Sequence, residues 1–229
     1  MIPAILHYSA RDELAADLAE IVAGDLRSAL DARGTASLAV PGGSTPGPFL
    51  RALSAEELNW EKVHVMLTDE RFVPESSDRS NTRLIRETLL QGPAAAASFV
   101  AFYQEADRPE DVLATLTQGL AAALPLDCCV LGMGEDMHTA SLFPGADRLT
   151  EALAPDAPPL LPMRAPGAPE PRLTLTAPVL RASRALHLLI TGAAKQLTLE
   201  KALNDQPTSE APVRTVLTAP TPITVHYAD

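Results

Sequence analysis

The sequence is short of cysteine and of positive charge, and it has no long apolar run. Its two cysteines, Cys128 and Cys129, are adjacent in an apolar segment. Neighbours on a strand point to opposite faces, which excludes a disulfide framework and fits a reducing, cytoplasmic setting. Lysine and arginine number 18 against 29 aspartates and glutamates, a formal net charge of −11. Nucleic acid and anionic membranes select clustered Lys and Arg, so neither is expected as a partner. The same deficit weighs, at first sight, against any anionic ligand. No apolar segment approaches the roughly 20 residues needed to cross a bilayer, and no basic stretch followed by an apolar core marks a secretory signal. No internal repeat or domain boundary is visible, so residues 1–229 are expected to form one domain.

What is present is core material: 46% of the residues are hydrophobic and 21% charged, the balance of a globular protein. Ser9 with Asp12 reads as a capping box, and Leu14, Leu18, Ile21, Val22, Leu26, Ala29 and Leu30 follow at helical spacing until Gly34. A helix is expected over roughly residues 10–32. Short apolar runs at residues 37–40, 63–67, 99–102, 127–131 and 185–190 alternate with helical patterns, one of them opening at Pro109 and running to about Ala123. Strands alternating with helices predict an α/β fold with a mainly parallel central sheet. Seven of the 21 prolines fall between Pro155 and Pro171. That stretch reads as a loop, either a surface excursion or a flap over a site.

In α/β sheets, ligands bind beyond the carboxyl ends of strands, and four such ends carry unusual residues. The first is Gly42-Gly43-Ser44-Thr45-Pro46, where glycines permit close approach, hydroxyls are at hand and Thr45 is placed to cap the following helix, whose amides would face an anion. It is neither a Gly-x-x-x-x-Gly-Lys phosphate loop nor a Gly-x-Ser-x-Gly elbow. The second is Thr68-Asp69-Glu70-Arg71, with Ser80-Asn81 beginning the next helix; an Arg fork suits a phosphate. In the third, Gly132 to Ser141, a dinucleotide fingerprint fails because its third glycine would fall at Met137. Its useful pair is Asp136 and His138, a carboxylate able to orient an imidazole that acts as a base. The other histidines, His7, His64, His187 and His226, have no ligand spacing relative to His138, so zinc is not expected. The fourth is Thr191-Gly192-Ala193-Ala194-Lys195, opening a helix to about Leu203. A lysine in a first turn opposes the helix dipole, a conflict that a bound anion removes.

Together these segments resemble the 6-phosphogluconolactonase family, within the larger group that includes glucosamine-6-phosphate deaminase. The matching residues are Gly42 to Pro46, Asp69-Glu70-Arg71 through Ser80-Asn81, Gly132 to Asp136 with His138 to Gly145, and Gly192 to Lys195. The run His138-Thr139-Ala140-Ser141-Leu142-Phe143-Pro144-Gly145 is the most specific. The resemblance implies a Rossmann-like three-layer α/β domain without a nucleotide. Its reaction is hydrolysis of 6-phospho-glucono-1,5-lactone to 6-phosphogluconate in the oxidative pentose phosphate pathway, with no cofactor or metal. It also implies a substrate site formed by Gly42, Gly43, Ser44, Thr45, Arg71 and Lys195, catalysis by His138, and Asp69 and Asp136 at the sugar end. A single phosphomonoester needs only such a local cluster, so the acid excess is assigned to the outer surface, with Asp69 and Asp136 the exceptions. Oligomeric state is left open, a monomer being compatible with the sequence.

Two departures from the family pattern stand out. Met137 fills a position where the family has glycine, which strains the backbone if φ is positive there, and His226 stands where a large aromatic residue is expected. Two rivals remain for test. A glucosamine-6-phosphate deaminase would carry Asn-Glu where this chain has Leu142-Phe143, and phenylalanine cannot transfer a proton. A non-catalytic sugar-phosphate sensor would bind the ligand without hydrolysing it.

Overall fold

A computed structural model describes residues 3–229. The elements run β1 (Ala4–His7), α1 (Arg11–Arg33), β2 (Ala36–Val40), α2 (Gly47–Ser54), β3 (Val63–Leu67), β4 (Asp69–Arg71), α3 (Asn81–Thr88), β5 (Ser98–Val100) and α4 (Pro109–Leu120). They continue with β6 (Cys128–Leu131), α5 (Leu149–Leu153), β7 (Leu160–Met163), β8 (Arg172–Leu175), α6 (Ala177–Arg181), β9 (Ala185–Thr191), α7 (Ala193–Leu203), α8 (Arg214–Leu217) and β10 (Ile223–Ala228).

Seven strands form one sheet in the order β1-β10-β9-β6-β2-β3-β5, and every neighbouring pair is parallel. The expected α/β fold with a parallel central sheet is therefore present, flanked by helices. Strands β2 and β6 are buried along their whole length, as required when both faces of a parallel sheet are covered. Helix α1 packs against α2 and against β2, β6 and β10. It turns Leu14, Leu18, Val22, Leu26 and Ala29 inward, and Gly34, at φ 75°, closes it by donating its N–H to the Leu30 carbonyl. Its start differs from the expected capping box. The N-cap is Ala10, and Ser9 hydrogen-bonds through both N–H and hydroxyl to the Glu13 carboxylate, at 2.9 and 2.5 Å, because Glu13 and not Asp12 is the third helical residue.

The proline-rich stretch is not wholly a loop. It contains β7, which pairs antiparallel with β8 in a second, three-stranded sheet of order β4-β8-β7. Pro162 is accommodated because β7 is the edge strand, where one row of N–H groups has no partner to lose.

The central sheet places the site. From the β2–β6 pair, strand order runs outward in both directions, to β3 and β5 on one side and to β9 and β10 on the other. The loops after β2 and β6 therefore part at this point, which is where an α/β sheet opens its crevice.

Candidate active site

A cleft of about 320 Å³ opens at these strand ends. Eight of the nine residues expected to carry the chemistry line it: Gly42, Gly43, Ser44, Thr45, Asp69, Arg71, His138 and Lys195. The ninth, Asp136, is absent from its walls and sits against His138 instead. Thr45 is not the expected cap. The N-cap of α2 is Pro46 and no side chain caps it, so the chain enters the helix one residue later and the Ser44 and Thr45 hydroxyls remain at the cleft.

His138 is held from two sides. Its Nδ1 lies 2.5 Å from Asp136 Oδ1, and its ring is packed against Phe143, with centroids 4.2 Å apart at 40°. The imidazole hydrogen bond holds the Asp136 carboxyl below its ordinary value, against the opposing effect of partial burial. An ionised Asp136 accepts Nδ1–H, so the Nε2 lone pair is free to take a proton. Gly134 makes this packing possible: a Cβ there would lie 2.0 Å from His138 Nδ1. Met137 has φ 64° and Ala140 φ 49°, so the methionine does occupy left-handed backbone.

Cationic groups enter from three elements. Arg71 lies on β4, Arg172 on β8 and Lys195 in the first turn of α7, and all three line the cleft. Among the described residues the Nε atoms of Arg71 and Arg172 are buried without a hydrogen-bond partner. The nearest carboxylate is Asp69, 3.9 Å from Arg172. Burial lowers the Arg172 pKa from the ordinary arginine value; Asp69 opposes this and the neighbouring Arg71 adds to it. Buried cationic donors with unsatisfied N–H groups are costly unless an anion completes them, and planar guanidinium forks match phosphate oxygens.

The acidic residues divide by role. Asp69 is 8% exposed and accepts from Ser141 Oγ at 2.6 Å and Thr68 Oγ1 at 3.3 Å. Glu70 is fully buried and does not line the cleft. It accepts the N–H groups of Arg71, Asn81 and Thr82 at 2.7, 2.8 and 2.7 Å, tying β4 to the start of α3. Burial raises its pKa despite those bonds. Asn81 in turn donates to the Asp69 carbonyl at 3.0 Å, and a Cβ on Gly42 would lie 2.0 Å from its Oδ1. The expected exceptions to a surface distribution of acid are corrected accordingly. Glu70 and Asp127 are buried along with Asp69, whereas Asp136 is largely exposed.

Arg172, Phe143 and Asn81 are site residues to which the sequence assigned no role. Arg172 follows the proline-rich segment, and nothing local distinguishes it from a solvated strand residue. Its guanidinium stands 5.7 Å over the Phe143 ring, the same ring that supports His138. No residue of 155–171 lines the cleft, so that stretch reaches the site only by delivering β8. Among the described residues the one grouping of three His, Cys, Asp or Glu donors is Asp25, Cys128 and His187, outside the cleft.

Residues 9–225 match the family described as glucosamine-6-phosphate isomerases/6-phosphogluconolactonase. A 6-phosphogluconolactonase of Rhizobium meliloti is 49% identical over 219 residues, covering 94% of each chain, and one of Pseudomonas aeruginosa is 46% identical, covering 94% of this chain and 90% of that one. The crystal structure of a 6-phosphogluconolactonase from Shewanella baltica superposes with a TM-score of 0.96 at 34% identity, covering 99% and 98% of the two chains. Cleft, fold and relatives agree, and the chain belongs to the glucosamine-6-phosphate isomerase/6-phosphogluconolactonase family.

Proposed function

We propose that this protein is a lactone hydrolase that converts 6-phospho-D-glucono-1,5-lactone to 6-phospho-D-gluconate, the lactonase step of the oxidative pentose phosphate pathway. The observation that carries this reading is one cleft holding both an oriented imidazole and three cationic side chains. The second feature binds a phosphate and the first activates water.

In the proposed mechanism Arg71, Arg172, Lys195 and the hydroxyls of Ser44 and Thr45 hold the substrate phosphate, while the Gly42-Gly43 backbone allows close approach. Asp136 keeps Nδ1–H of His138 engaged, so Nε2 takes a proton from water as the oxygen attacks the lactone carbonyl. The tetrahedral oxyanion collapses with cleavage of the ring C–O bond, and His138 returns the proton to the departing ring oxygen, which leaves as a hydroxyl. Acid–base help of this kind contributes about 10²–10⁴-fold. Anchoring the phosphate remote from the carbonyl adds orientation. Asp69, held by Ser141 and Thr68, is placed to accept a hydrogen bond from a sugar hydroxyl.

The same reading makes residues 1–229 one catalytic domain. Two free, buried cysteines accord with a cytoplasmic setting, and no described helix is long and apolar enough to cross a membrane. The test is acid release from lactone generated in situ, corrected for spontaneous hydrolysis. His138→Ala is expected to lose about 10²-fold or more in kcat, and turnover within a few-fold of wild type would remove His138 from the mechanism.

A further inference from the structure

Away from the cleft, under α1, three donors from three elements converge: Asp25 of α1, Cys128 of β6 and His187 of β9. We propose that they form a binding site for a divalent cation of the zinc class, with Asp25 Oδ2, Cys128 Sγ and His187 Nε2 as ligands. The three donor atoms lie within 4.8 Å of one another. His187 Nε2 is 2.8 Å from Asp25 Oδ2, and Cys128 Sγ is 3.8 Å from the same oxygen. Tetrahedral zinc, with bonds of about 2.0 Å to N and O and about 2.3 Å to S, needs ligand separations of about 3.3 Å for N to O and about 3.5 Å for S to O. The two separations to Asp25 are met by moving a side chain about half an ångström or less, the nitrogen and oxygen parting and the sulfur approaching, and the sulfur and nitrogen lie within 4.8 Å of each other.

The surroundings suit a metal. Zinc-ligating imidazoles are oriented by a hydrogen bond at the other ring nitrogen, and His187 Nδ1 lies 3.1 Å from His226 Nε2, whose own Nδ1 is 2.9 Å from the Tyr8 hydroxyl. This chain can run in either direction. Without metal, the Tyr8 hydroxyl donates to His226, His226 to His187, and His187 Nε2–H to Asp25. With metal on Nε2, His187 donates from Nδ1 to His226 and His226 donates to the Tyr8 oxygen. Each imidazole keeps one proton in both arrangements, so the only proton released is that of the Cys128 thiol. Thiolate, carboxylate and a doubly charged cation then sum to zero charge, the condition under which ions are tolerated beside a core. Access runs past Asp25, whose side chain is 32% exposed, whereas that of His187 is 7% exposed. That opening leaves a fourth position for water. Sequence spacing measured from His138 gave no sign of this site, because its ligands lie on one helix and two strands far apart in the chain.

None of the three ligands lines the cleft, so a cation here would tie α1 to the sheet and take no part in hydrolysis. The test is titration of chelator-treated protein with Co²⁺. One equivalent is expected to give the visible bands of tetrahedral cobalt together with a near-ultraviolet thiolate-to-metal charge-transfer band, both displaced by Zn²⁺. Cys128→Ser should abolish the charge-transfer band and Cys129→Ser should keep it. Asp25→Asn, at a partly exposed helix position, should keep the fold and lower cobalt affinity on the order of 10-fold or more. Absence of the charge-transfer band in the wild type would overturn the proposal, as would its persistence unchanged in Asp25→Asn.

Discussion

Oδ1 of Asp136 lies 2.5 Å from Nδ1 of His138 and also accepts the His138 backbone N–H at 3.2 Å. One oxygen thus fixes both the ring and the backbone of the proposed base. Asp136→Asn preserves shape but can present an N–H to Nδ1, favouring the tautomer whose Nε2 carries the proton. The expected result is a fall in kcat of about 10²-fold or more with little change in KM. Steady-state rates on fresh lactone check it, and a loss below threefold would make Asp136 a surface acid with no part in positioning.

The same pair makes a pH-dependent contribution to stability. The folded-state Asp136 carboxyl is held below its ordinary value of 3.8, so the unfolded chain binds the proton more readily. The stabilisation is present above pH 3.8 and is lost as pH falls through the lower, folded value. Thermal unfolding of wild type and Asp136→Asn should therefore differ by a constant amount near neutrality, and the two curves should converge below about pH 4. A difference that grew on acidification would contradict the sign.

Arg172 approaches the cleft from the second sheet with a buried Nε and no partner for it. If it grips phosphate with Arg71, Arg172→Ala should raise KM by about 10–100-fold, the worth of a charged hydrogen bond of roughly 1.5–3 kcal/mol. Hydrolysis of unphosphorylated glucono-1,5-lactone should change far less. Equal losses on both lactones would instead point to Phe143, whose ring lies between Arg172 and His138, losing its support.

Arg172 also marks where the sequence stops being legible. The β2, β6 and β9 strand ends were readable because glycines, hydroxyls and charges interrupt apolar runs there, and the central sheet followed from strands alternating with helices. Its pairing order, and hence the opening between β2 and β6, comes from contacts across the chain that no local pattern encodes. The small β4-β8-β7 sheet was hidden because β4 has three residues and β7 carries Pro162, so neither shows strand periodicity. At the end of β3, Asp69 and Glu70 are adjacent carboxylates, and composition cannot tell which way each side chain points. The alternation of β4 settles it, placing Asp69 and Arg71 at the cleft and Glu70 behind them. The Asp25, Cys128 and His187 cluster was invisible for the same reason as Arg172.

Met137 carries a cost that the sequence foresaw. At φ 64° a side chain sits in left-handed backbone, unfavourable by roughly 1–2 kcal/mol relative to glycine. Two effects offset replacement: glycine frees the unfolded chain by about 0.5–1 kcal/mol, and the methionine packs against the core and receives a Gln206 amide contact at its sulfur at 3.5 Å. The Met137 carbonyl, which accepts the Val213 N–H at 2.9 Å, is kept by any residue. Met137→Gly should therefore stay within about 1 kcal/mol of wild type in stability and keep kcat. Met137→Val adds a β-branched side chain at positive φ and should lose more than about 1 kcal/mol. Denaturant unfolding of both variants decides the balance, and a glycine variant weaker than the valine variant would show that the side-chain contacts outweigh the backbone strain.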